Sequence, residues 1–176
     1  MPVTALSRPL LVESGSHQAV REGIIAGTIG AATVAIWFLV VDILAGQPLY
    51  TPAILGEAVL NSLGFVTAGI AIPVAIYTLV HLAAFAIMGM CAVVLVHAAQ
   101  RDVSMLYGIL ILFVVFEGGF YGFVYMLDVT LLGNIAWVQI LPANLLAAFL
   151  MGGWLWRTHP ALHGRVDEGL SGVGSV

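Results

Sequence analysis

A chain of 176 residues, 61% hydrophobic and only 8% charged, lacks the polar surface of a water-soluble domain, which carries about a quarter charged residues. Its mean hydropathy of +1.10 says the same. Five arginines, no lysine and nine acidic residues leave a net charge of −4 and no basic patch for nucleic acid. Cys91 is the single cysteine, which excludes an intrachain disulfide or a cysteine-based metal cluster.

Residues 1–18 are modestly polar and lack the apolar core of a signal peptide, so they read as a cytoplasmic or interfacial arm. Ser14 or Ser16 is placed to cap the helix that follows. A first helix is predicted over 19–45, long enough to span a bilayer and followed by no cleavage site. Gly23, Gly27, Ala31 and Ala35 recur at every fourth position and form a smooth stripe for close helix packing. Asp42, near the far end of this helix, is expected among the lipid headgroups.

Pro48 and Pro52 prevent regular helix over 47–52. With Thr51 as cap and Pro52 in the first turn, a short interfacial helix is predicted over 53–63. Its apolar face, Ile54, Leu55, Val59 and Leu60, suits a membrane surface, while Glu57 and Asn61 share another face one turn apart. Residues 64–72 read either as a re-entrant piece or as the start of the second long helix.

That second helix is predicted over 73–100, with His81 inside and His97 near its end. Arg101 and Asp102 make a turn into a third helix, VSMLYGILILFVVFEGGFYGFVYML, which carries Glu117 within an apolar run. A loop over 128–134 leads to a fourth helix over 135–158, which Pro142 should kink, freeing a carbonyl near Asn144. Residues 159–176 are polar and glycine-rich, the composition of a flexible tail. The expected fold is therefore all-α: a four-helix transmembrane bundle over 19–158, between an arm and a tail.

Four spans put Arg8, Arg21, Arg101, Arg157 and Arg165 on one side. The opposite loops carry Asp42, Glu57 and Asp128 and no basic residue. By the positive-inside rule both termini are then cytoplasmic.

The stretch GTIGAATVAIWFLVVDILAGQPLYTPAILG, residues 27–56, resembles a group of small bacterial integral membrane proteins known as uncharacterised reading frames. The resemblance implies a bacterial inner membrane. It carries no activity, so it transfers no functional residue.

Counted in from the helix ends at about 1.5 Å per residue, His81, Glu117 and Asn144 fall about 12, 15 and 12 Å deep. Three helices thus place one polar group each in a common layer. Tyr77 lies one turn from His81 and Tyr121 one turn from Glu117. Gly118, Gly119 and Gly122 leave room beside the carboxylate; Gly118 and Gly122 join the stripe of Gly23, Gly27, Ala31 and Ala35 as candidate helix-packing positions.

Two readings of the layer stand open. It is a hydrogen-bonded tie between helices, or it is a proton- or ion-handling site built on a His81–Glu117 pair. A metal needs about three strong ligands and these two residues supply two, so neither a metal nor another cofactor is predicted. No hydrolase, zinc-protease, phosphate-loop or redox motif is present, and no catalytic residue is assigned. The function expected first is a non-catalytic accessory subunit of a larger bacterial membrane complex, respiratory, photosynthetic or transport, with lipid and other membrane subunits or its own copies as partners. A small transporter using His81 and Glu117 is the alternative, and a membrane redox or lipid-modifying enzyme the weaker one.

Overall fold

A computed structural model describes residues 8–127, 137–164 and 166, and every regular element among them is helical. The helices are α1 (Arg8–Leu44), α2 (Tyr50–Ser62), α3 (Ala71–Ala99), α4 (Leu106–Leu127) and α5 (Ile140–Thr158). Single 3-10 turns, Val103–Met105 and Trp137–Gln139, lead into α4 and α5. Helical backbone resumes over 160–164.

Among the described residues, three stretches are long and apolar enough to cross a membrane: His17–Leu44, Ala71–Ala99 and Val103–Leu127. At 28, 29 and 25 residues they extend about 38–44 Å, more than the roughly 30 Å of a hydrocarbon core. α5 has 19 residues and is not among the three. Pro142, Asn144 and the Gly152-Gly153 pair interrupt its apolar run.

Close backbone approach builds the core. A Cβ on Gly89 of α3 would stand 2.6 Å from the Gly27 nitrogen of α1, and one on Gly23 would stand 2.7 Å from Met90 Cα. Neither distance is sterically allowed, so the α1–α3 crossing exists only because these positions are glycine. Lipid chains are as apolar as leucine, so helices in a bilayer associate through such close packing and polar ties. Ala31 is buried at the same interface, whereas Ala35, the last residue of the stripe, is exposed.

α5 lies against α1 with Ile140, Ala143, Asn144, Ala147, Met151 and Leu155 inward, the spacing of one helix face. α4 is held least: Val124 is its one buried residue. Leu79, Ile87, Met126 and Phe149 are among the many large apolar side chains left on the outside. Extended apolar surface of this kind marks contact with membrane or with other proteins.

Several local features differ from the sequence expectation. The helix already covers residues 8–18, read from the sequence as an arm, so the described part of α1 runs from Arg8 and not from residue 19. Residues 14–16 are carried inside the helix, so neither Ser14 nor Ser16 is its cap. α2 starts at Tyr50, so Thr51 lies within it and is not the cap either. Leu49, at φ 67°, turns the corner before it.

The cap comes from α1. Asp42 Oδ2 accepts the Thr51 backbone N–H at 2.8 Å, and Oδ1 accepts the Thr51 hydroxyl at 2.7 Å. Asp42 is therefore 4% exposed, enclosed by protein at the α1–α2 corner. The free N–H groups at the start of α2 favour an anion there.

The face of α2 read as membrane-lying packs instead on α3. Leu55 and Leu60 are buried, and a Cβ on Gly56 would overlap the Pro73 carbonyl. Glu57 and Asn61 are exposed. Residues 64–70 form a connector in which Gly64 and Gly69 take φ of 81° and 80°, and only 71–72 join α3.

Pro142 is the third residue of α5, so no kink is required and no carbonyl is freed by it. His159 and Leu162 are buried, so the chain just beyond α5 is packed and not tail. The predicted loop over 128–134, residues 135–136 and residues 167–176 lie outside the described residues.

Candidate functional site

Tyr77 and His81 stand one turn apart on α3 with their rings stacked at 5.2 Å. His81 Nε2 lies 3.1 Å from the Ala31 carbonyl of α1 and Nδ1 lies 3.2 Å from the Tyr77 hydroxyl. A carbonyl only accepts, so Nε2 carries the hydrogen and Nδ1 accepts from Tyr77 in the neutral ring. The small side chain at position 31 lets the imidazole reach the α1 backbone. With both nitrogens occupied, His81 has no lone pair left for a haem or a metal ion.

The other pair joins α4 to α5. Asn144 Nδ2 donates to Glu117 Oε2 at 2.6 Å. Glu117 Oε1 is buried and accepts no hydrogen bond among the described residues. Tyr121, one turn on, sets its ring edge-on to Phe120 at 6.1 Å.

The expected polar layer is thus two pairs. No hydrogen bond or ion pair joins His81 to Glu117; each finds a different partner. An aromatic path runs between the two pairs, with His81 on Phe85 at 4.8 Å and Phe85 edge-on to Phe116 of α4 at 5.3 Å.

Between the pairs lies a cavity of about 450 Å³. All five helices line it, and its polar contributions come from Thr51, Tyr77, His81 and Asn144. Its size, apolar walls and few polar groups match a small-molecule pocket. A second cavity of about 300 Å³ lies between α1 and α3, and Tyr77, His81 and Phe38 border both.

Gly118 and Gly122 are on an open face, whereas Gly119 borders the larger cavity. Among the described residues nothing lies within 4 Å of where their Cβ atoms would be. Among the described residues no helix packs on Gly118 or Gly122, unlike Gly23, Gly27 and Ala31.

One cluster escaped the sequence reading. Glu22, His97 and His159 bring a carboxylate oxygen and two imidazole nitrogens together at the end of the bundle that carries Arg21, Arg101 and Arg157. The antiparallel threading that gathers the arginines also gathers these three. His159 was hidden by its place in a segment with the composition of a tail.

No family model matches this chain, and neither a curated protein nor a solved structure matches it.

Proposed function

We propose that the chain is a four-span integral protein of a bacterial inner membrane, with both termini cytoplasmic, and that it acts as a non-catalytic interaction subunit of a larger membrane complex. The grouping of Arg21, Arg101 and Arg157 beside the Glu22–His97–His159 cluster supports the orientation. In this reading α5, 19 residues long, serves as the fourth span.

The observation that carries the interaction reading is α4. It is apolar enough to span, its most apolar 18-residue window is 0% buried, and it presents Gly118 and Gly122 on an open face. A glycine face lets a partner helix approach at backbone distance. Solubilisation in a mild detergent should retain further membrane subunits or a second copy. Gly118→Leu with Gly122→Leu should release them while expression and helix content stay the same. A wild-type chain that is cleanly monomeric in native mass spectrometry, with nothing bound, defeats the proposal.

The cavity between the two polar pairs favours a second reading, a small transporter or ion-handling protein with His81 and Glu117 at its site. Under it, Glu117→Gln abolishes flux in liposomes without loss of protein. Under the first, the same variant assembles normally and no flux is found in the wild type.

A further inference from the structure

We infer that Glu22, His97 and His159 form a binding site for a divalent transition metal, zinc being the simplest fit, at the end of the bundle where α1, α3 and the residue following α5 meet. His97 Nε2 and His159 Nε2 are 3.1 Å apart. Glu22 Oε2 lies 3.5 Å from the first and 3.4 Å from the second. Ligand atoms bound at the usual zinc distances of about 2.0–2.1 Å in a tetrahedron stand about 3.3 Å from one another. The three atoms therefore already form one face of such a tetrahedron.

The surroundings orient all but one of these ligands. His159 Nδ1 lies 3.0 Å from the Leu155 carbonyl. Since the carbonyl must accept, Nδ1 carries the hydrogen, and in the neutral ring Nε2 presents its lone pair to the cluster. A histidine ligand held through its other nitrogen is the usual arrangement around a bound metal. Gln18 Nε2 donates to Glu22 Oε1 at 3.1 Å, which turns Oε2 towards the histidines.

Charge completes the case. Glu22 Oε2 is fully buried and accepts no hydrogen bond among the described residues. When both rings are neutral, only His97 can offer a proton, and it can serve a single edge of the triangle. The other edges bring lone pairs face to face, one of them on a carboxylate. A cation above the triangle satisfies all three acceptors. His97 is 41% exposed at its side chain, against 18% for Glu22 and 7% for His159. A metal therefore has a way in, and a fourth coordination position remains for water or another ligand.

The test uses the full chain purified in detergent without a histidine tag, stripped with a chelator and titrated with Zn2+ or Co2+. One metal per chain is expected, with the visible absorption of tetrahedral Co2+. Glu22→Gln and His97→Asn should each weaken binding by at least about tenfold. Both alter partly exposed side chains, and circular dichroism verifies their fold. His163→Ala should bind like the wild type, because His163 stacks on Trp156 at 4.2 Å and contacts its carbonyl, away from the cluster. Absence of binding at micromolar Zn2+, or equal affinity in the wild type, Glu22→Gln and His97→Asn, overturns the site and leaves the histidine pair as a proton-sharing tie.

Discussion

Asn144 of α5 donates to Glu117 of α4 across 2.6 Å, and this bond ties in a helix that buries only one of its own residues. Replacing Asn144 by Leu should cost about 1–2 kcal/mol, since it removes an interhelical hydrogen bond and leaves a carboxyl group without its donor. Glu117→Gln keeps an acceptor and should cost less than half as much. Thermal melts in one detergent compare the two. Equal losses would mean that the negative charge, and not the hydrogen bond, holds α4.

The glycines divide into two classes with opposite expected responses. Gly89→Ala forces a methyl group into the α1 backbone and should destabilise by about 3 kcal/mol, or prevent accumulation of the protein. Gly118→Ala meets no neighbouring atom among the described residues and should stabilise the isolated chain by about 0.5–1 kcal/mol through helix propensity. Melting temperatures of the two variants, measured together, decide this. A Gly118→Ala variant as unstable as Gly89→Ala would place α4 elsewhere.

Asp42 caps α2 from a different helix, so its loss should act at a distance along the chain. Asp42→Ala removes two bonds from Thr51 and should cost about 2 kcal/mol. Hydrogen exchange should rise across α2 while the α1–α3 crossing stays protected. Uniform exchange across all helices would show that α2 does not open separately.

Asp102 gives a pH dependence with a defined sign. It lies between Val103–Leu127 and Ala71–Ala99, outside both stretches. The Ser104 hydroxyl first and the Ser104 backbone N–H second hold its carboxyl below the ordinary value of 3.8. A depressed folded pKa adds stability that is complete above the unfolded value and fades as pH falls through the folded one. The stability gap between wild type and Asp102→Asn should therefore be constant above about pH 5 and shrink below about pH 4. A gap that widens on acidification would contradict the assignment.

Much of the helical layout follows from composition and punctuation. Apolar runs over α1, α3 and α4, prolines in the first turns of α2 and α3, and the polar Arg101-Asp102 turn are local features, and local steric rules act on them wherever the chain goes. The small-residue stripe was legible for the same reason: Gly23, Gly27 and Ala31 recur with the helical period and do meet α3.

Depth could also be counted from the sequence, but partnership could not. His81, Glu117 and Asn144 fall at similar depths, yet helix rotation and neighbour order choose which side chains touch. Those depend on where Gly89 lets two backbones cross, a contact between residues more than sixty positions apart. The tertiary structure alone turned His81 to an α1 carbonyl, gave Glu117 to Asn144, drew Asp42 inward to cap α2, and set His159 against Glu22 and His97. Hydropathy, summed along one segment at a time, carries membrane solvation; the pairing of polar groups is decided by the angle at which separate segments pack.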